Sequence, residues 1–290
     1  MGIVDSKLFD RTNLMNLNLE KYKTILETKG LQEAILYKNQ YVPKKLYKFV
    51  SLNDDKNEND KRYKSLINNK TWLSGFRKLN DPFEFKSFLL DQKRLAEHNW
   101  PAPAIVLTDK MMSLYKNLYY ICCFVDVFSS IPMWAYYANN HRGFCVEYMI
   151  EKPDYIYKVF YEEQRQKVAT IPSYLMKSLF ESIEISREKP NNEFLMWNEI
   201  LKLSFTVKHK SWQHENEFRL IFPFNKEVDG VSINNRELRI KPSRIFVGME
   251  CNKENVDTLS DIANKIKCEI FQMKVSEDSL DFNLGYSKIM

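Results

Sequence analysis

Lys208-His209-Lys210-Ser211-Trp212-Gln213-His214-Glu215-Asn216-Glu217-Phe218-Arg219, running on into Leu220-Ile221-Phe222, decides how the rest of the chain is read. At a strand's period of two, Glu215, Glu217 and Arg219 share one face, with Asn216, Phe218 and Leu220 on the other. On an outer face these three would be a solvated charge ladder, each exposed pair contributing at most about 1 kcal/mol. The apolar Leu-Ile-Phe-Pro-Phe segment that follows argues instead that the strand enters the core. Charges at the mouth of a core strand lose their water, and such groups concentrate at functional sites.

Outward from that strand, the pattern alternates between short strands and helices. Apolar positions from Leu17 to Lys38 recur at helical spacing, and Lys29-Gly30 divides them into two helices. Leu46–Val50, Thr71–Ser74, the apolar run Tyr119–Val125, Phe144–Tyr148 and Tyr155–Tyr161 read as strands. Helices are expected over about 60–68, 104–118 and 131–140, the last with Pro132 suited to its first turn. Pro172–Glu188 and Glu193–Val207 read as a helical pair, and a hairpin is expected around Asp229-Gly230. Arg244–Gly248, Asn252–Ile266 and Cys268–Val275 give a closing strand, helix and strand. The expected class is α+β with mixed, mostly antiparallel sheets. Residues 1–44 form a helical extension, and 45–290 a single domain with a helical insertion at about 172–207.

Composition narrows the function classes. A hydrophobic fraction of 44% with 14% aromatic residues supports a sizeable core across 290 residues. The net charge of +5 comes from 43 basic and 38 acidic residues, with acidic residues interrupting nearly every basic stretch. A concentrated basic groove for nucleic acid is therefore not indicated. Five cysteines without CxxC or zinc spacing fit reduced thiols in a cytosol, and no metal centre is expected. No signal region and no uncharged run near 18 residues is present, so a cytoplasmic chain without a membrane span is expected. GxGxxG, the phosphate-loop pattern and HExxH are absent, and seven glycines leave little for a glycine-cradled phosphate. His141 with Cys145 is the one close His/Cys pair, and a strand thiol beside Phe144 and Val146 reads as packed rather than nucleophilic.

Four segments carry polar and aromatic groups beyond what a core needs: Tyr47-Lys48, Ser74 through Asn80-Asp81-Pro82-Phe83-Glu84, Met133 through His141, and Trp212 through Arg219. Singly they read as a snorkelling lysine, turn chemistry, an aromatic core stripe and a charged strand face. Together they offer a cation, stacking rings and carboxylates, which suits a planar, partly charged, nucleotide-type small molecule. A helix over Met133–His141 would turn Trp134 and Tyr137 toward such a ligand, with His141 at its end.

The motifs LYKF (Leu46–Phe49), NDPFE (Asn80–Glu84), MWxxYAxxHxGFC (Met133–Cys145) and WxxExExR (Trp212–Arg219) resemble a widespread bacterial family of unknown function. The same order also resembles the ADP-ribosyltransferase superfamily, through its first strand with a polar residue, aromatic middle block and late ExE strand. That resemblance implies a split sheet and NAD as the substrate. It implies Glu217 as the catalytic glutamate and Glu215 as its helper toward the acceptor. Lys48 falls where that superfamily has histidine or arginine, Ser74 follows the second strand, and Trp134 or Tyr137 stacks on nicotinamide. A toxin or phage-defence role is what the resemblance adds. The alternatives are a metal-dependent enzyme acting on nucleic acid or a phosphorylated substrate through Glu215, Glu217, Asp81 and a divalent ion, and a non-catalytic nucleotide- or partner-binding module. The polar loop 53–60 and the helical N-terminus offer surface to a regulatory protein partner.

Overall fold

Ten strands form one mixed, mostly antiparallel sheet in the computed structural model, which describes residues 19–90, 115–168, 201–224, 228–277 and 280–289, together with 93, 97, 110, 195, 198 and 199. The α+β class expected from the pattern is what is found. Most of the helix expected over 104–118 and of the helical pair at 172–207 lies outside the described residues, as do residues 1–18.

Helices α1 (Leu19–Lys29) and α2 (Leu31–Asn39) meet at Gly30, whose φ of 88° is a backbone state that glycine adopts at no steric cost. The strands are β1 (Lys45–Val50), β2 (Lys70–Ser74), β3 (Phe88–Leu90), β4 (Tyr119–Val125), β5 (Phe144–Ile150), β6 (Ile156–Lys158), β7 (Phe160–Glu162), β8 (Gln166–Val168), β9 (Val207–His209), β10 (Glu217–Pro223), β11 (Gly230–Asn234), β12 (Ile240–Val247), β13 (Glu269–Val275) and β14 (Leu284–Lys288). The remaining helices are α3 (Lys56–Ile67), α4 (Ile131–Tyr137), α5 (Asn235–Leu238) and α6 (Lys253–Ile266). Helix α3 begins earlier than its apolar spacing implies, because the Asp55 carboxylate accepts from the Asn57 and Glu58 amides and caps it.

The main sheet runs β11-β2-β4-β1-β5-β12-β13-β14, with β10 on β4 and β6 on β10. Only β12–β13 is parallel in it, and α6 makes that crossover. The middle of the sheet is split. Strand β4 pairs with β10 along its whole length, from Tyr119↔Pro223 to Val125↔Glu217. Its opposite edge is shared: β1 meets it only at Tyr47↔Val125 and β2 only at Ser74↔Ile121. Between those contacts Cys122–Phe124 has no strand partner on that edge.

One sheet face packs Leu46, Phe144, Leu220 and Ile245 among others into the largest core, under α3 and α6. A second core gathers Tyr47, Val125, Trp134, Cys145 and Phe246, with Met133 and Trp134 brought in by α4. A third ties α1 and α2 down, reinforced by Lys38, whose buried ammonium donates to the carbonyls of Pro153, Asp154 and Ile156 at 3.0, 3.2 and 2.8 Å.

Candidate functional site

A cleft of about 230 Å³ opens where β1 and β2 part. Tyr47, Lys48 and Phe49 line it from β1, Ser74 from β2, and Ile121, Cys123, Phe124 and Val125 from β4. Lys78, Leu79, Asn80 and Glu84 come from the loop after β2, and Met133 and Tyr137 from α4. Lys208, Glu215 and Glu217 close it.

Its acidic wall is a buried ion cluster. Glu217 and Arg219 share one face of β10, as the period of two requires, with Glu217 opposite Val125 and Arg219 opposite Cys123. All five N–H donors of the Arg219 guanidinium are used. Two go to Glu217 (2.7 and 3.1 Å), two to Glu84 (both 2.7 Å) and one to the Phe205 carbonyl at 2.6 Å. Lys208 donates to Glu215 at 2.6 Å and to Glu217 at 3.1 Å, and lies 3.8 Å from Glu84. Its ammonium also sits 4.8 Å from the centre of the Trp212 ring.

Every member of the cluster is at least nine-tenths buried, so a solvated charge ladder is excluded. Three carboxylates face two cations, which leaves one net negative charge beside the cleft. Burial alone would raise the Glu217 pKa, but the Arg219 guanidinium and the Lys208 ammonium outweigh it and hold the carboxyl down to about 2. Lys208 is itself held charged: burial works against its charge, and Glu217 and Glu215 more than reverse that.

Glu215 reaches the cluster by a different route from the strand expected of it. Lys210–Glu215 form a 3₁₀ turn, and Asn216 reverses the backbone in a left-handed conformation (φ 45°, ψ 51°) that asparagine tolerates. Its side-chain amide donates to Asp126, pinning the reversal. The Glu215 carboxylate thus returns beside Glu217, with Lys208 between them and the Tyr137 hydroxyl on its other oxygen. Asn80 Nδ2 donates to that same hydroxyl at 2.8 Å.

The other side of the cleft is basic. Lys48 donates to Cys122 Sγ at 3.1 Å, and burial pushes that thiol up, so the ammonium's neighbour is a neutral sulfur. Lys78 stands at the rim, paired with Asp229 at 3.1 Å. Tyr47 lines the cleft with its ring packed against Phe128, centres 5.4 Å apart, and its hydroxyl donates to Glu147 at 3.0 Å.

Of the eleven residues singled out in the sequence, Tyr47, Lys48, Ser74, Asn80, Tyr137, Glu215 and Glu217 line this cleft. Four do not. Trp134 is fully buried in the second core, edge-on to Phe49 at 5.1 Å, with its indole N–H donating to the Phe128 carbonyl at 2.7 Å. The expected stacking surface is therefore a core residue, because α4 lays Met133 and Trp134 inward and leaves Tyr137 at the edge. His141 lies against Trp134, ring centres 6.0 Å apart, after three successive left-handed residues, Asn139, Asn140 and His141, that end the helix early. Asp81 is a turn residue: one carboxylate oxygen accepts the Phe83 amide at 2.8 Å, and the other is buried without a partner among the described residues. Arg219 stands behind the carboxylates. Lys208 and Glu84 are functional candidates that the sequence reading passed over, although both lie inside segments it quoted.

The carboxylate oxygens of Glu84, Glu215 and Glu217 are engaged by Lys208, Arg219 and Tyr137. Among the described residues no group of three or more His, Cys, Asp and Glu side chains is placed to hold a metal, and no helix is long and apolar enough to cross a membrane.

A second, smaller cavity of about 110 Å³ lies on the far side of the β2–β3 loop, between Arg77, Lys116 and Asp229. It contains none of the carboxylate cluster.

No curated protein and no solved structure matches the chain. A family described as a protein of unknown function (DUF2971) matches residues 133–220, less than a third of the chain. That segment carries Tyr137, Lys208, Glu215, Glu217 and Arg219 but not Lys48, Ser74, Asn80 or Glu84, so it holds most of the acidic cluster and only part of the cleft lining.

Proposed function

We propose that the chain is an enzyme that takes NAD into this cleft as a substrate and breaks its nicotinamide–ribose bond, passing ADP-ribose to an acceptor or to water. The observation that carries the reading is the polarity of the cleft. One wall is a buried cluster with a net negative charge, and the other is lined by Lys48, bonded to a neutral thiol, and by Lys78 at the rim, paired with Asp229. A dinucleotide has the matching polarity, with an anionic pyrophosphate and a nicotinamide ribose that is cationic in both ground and transition states. Glu217 is the catalytic carboxylate in this reading. Already ionised and out of water, it stabilises the oxocarbenium-like ribose without reorganising as nicotinamide leaves. Glu215 serves the acceptor, and Lys48 and Ser74 hold the phosphate–ribose end. A chain consuming NAD acts in the cytoplasm, where a toxin or phage-defence role would draw on that pool.

The test is nicotinamide release from NAD by the purified protein, followed by chromatography, beside Glu217→Gln. The wild type should release nicotinamide, and the variant should bind NAD with similar affinity and turn over about 100-fold or more slowly. A wild type that neither binds nor cleaves NAD overturns the proposal, as does a fully active Glu217→Gln.

A further inference from the structure

Tyr137 makes two hydrogen bonds that fix the direction of a proton path. The Asn80 amide nitrogen can only donate, so the phenol oxygen is the acceptor of that 2.8 Å bond. The phenol's own proton is then committed to Glu215 Oε1. Glu215 Oε2 is held by Lys208 at 2.6 Å, so the carboxylate is clamped with one oxygen turned to the phenol. The three groups come from the β2–β3 loop, α4 and the turn before β10, and all three line the cleft. A phenol placed for packing alone would have no need of both an aligned donor and an aligned carboxylate.

We propose that Tyr137 is a further catalytic residue, which relays the proton of the attacking hydroxyl or water to Glu215. The relay rests on the NAD reading above. The acceptor oxygen forms a bond to ribose C1′ as the bond from C1′ to nicotinamide breaks, and that electron pair leaves with neutral nicotinamide. The acceptor's proton passes to the Tyr137 oxygen while the Tyr137 proton passes to Glu215 Oε1. Tyr137 is again a phenol at the end, and Glu215 is a carboxylic acid that later returns its proton to solvent.

Charge is conserved inside the cleft throughout. A cationic nicotinamide ribose faces a cluster of net charge minus one, and a neutral product faces a neutral cluster. Burial and the Glu215 carboxylate both raise the pKa of the phenol, so Tyr137 does not rest as phenolate but exchanges one proton for another.

The experiment compares Tyr137→Phe with wild type in water and in sodium azide, using NAD and measuring nicotinamide, ADP-ribose and its azide adduct. Azide attacks as an anion and carries no proton to relay. Tyr137→Phe keeps the ring and should lose water-dependent release by about 100-fold or more, the scale of a general base, with little change in KM. Azide should restore release to within about tenfold of the wild-type rate. Glu215→Gln should show the same rescue. An active wild type with Tyr137→Phe within about threefold of it in water overturns the relay alone, as does a loss that azide leaves untouched. A wild type silent in both media overturns the NAD reading and the relay together.

Discussion

Replacing Arg219 by methionine removes five hydrogen bonds and one of the two cations in the cluster. Glu84 would keep only Lys208, at 3.8 Å, and the net charge of the buried group would go from minus one to minus two. Breaking a buried pair from one side costs about 3–5 kcal/mol, because the orphaned charge stays desolvated. Proton linkage gives a similar figure. The Glu217 carboxyl is held from its ordinary 4.5 down to about 2, chiefly by Arg219 once burial is overcome. At about 1.4 kcal/mol per pKa unit, that shift contributes about 3 kcal/mol of stability. Because the folded pKa is depressed, the contribution is complete above pH 4.5 and is lost as pH falls from 4.5 toward 2. Urea unfolding at pH 7 should therefore show Arg219→Met less stable by about 3–5 kcal/mol, with the gap to wild type narrowing as the pH is lowered toward 3. Adding Glu84→Gln to Arg219→Met should recover part of the loss, since the pair is coupled. A loss below about 1 kcal/mol, or a gap that does not change with pH, would refute the view that this cluster is paired and dry.

Trp134→Ala should lower stability by about 3–5 kcal/mol, as large core truncations do, and leave NAD affinity per folded molecule unchanged; calorimetry and binding on the same sample decide this. A methyl group on Gly143 would lie 2.1 Å from the Val50 carbonyl oxygen and 3.1 Å from that of Ala138. Both are backbone atoms that cannot swing away, so Gly143→Ala should unfold at a clearly lower temperature in a thermal melt. Lys208→Met should raise the pKa of Glu217 and destabilise the fold by about 3 kcal/mol or more, because two carboxylates lose their shared cation. Acid titration of the variant followed by circular dichroism would show its transition at higher pH than the wild type's.

The strands of the sheet centre were legible because their apolar runs are continuous, and the break at Gly30 because glycine after a basic residue marks a helix stop. Glu217 and Arg219 were legible as one face because β10 keeps its period of two. Glu215 was not, since a single left-handed residue, Asn216, cancels that period at the start of the strand. Lys208 and Glu84 escaped for another reason. Their partnership is long-range, made by β9 and the loop after β2, and neither segment shows in its own composition that it meets the other. Trp134 and Tyr137 share a face by spacing, yet burial differs across that face, and spacing alone does not give depth. The opening in the sheet rests on single-residue pairings at Tyr47 and Ser74, which no sequence pattern distinguishes from full-length ones. Strand β14 lacks a run of apolar residues, because it pairs on one side only and stands at the sheet edge.

Arg219 follows Glu84 by 135 positions. A chain emerging from the ribosome therefore carries Lys48, Ser74 and Asn80 long before it carries Glu215, Glu217 or the guanidinium that draws the 80–84 loop against β10. Until then one whole edge of β4 is also unpaired. Closing so long a loop costs only logarithmically more than closing a short one, but it can happen only once both ends exist. Products released early by a stalled ribosome or a premature stop before residue 217 lack Glu217 and Arg219, so the buried cluster cannot assemble in them. On the proposed reading, such a product lacks the catalytic carboxylate and leaves the NAD pool of its own cell untouched.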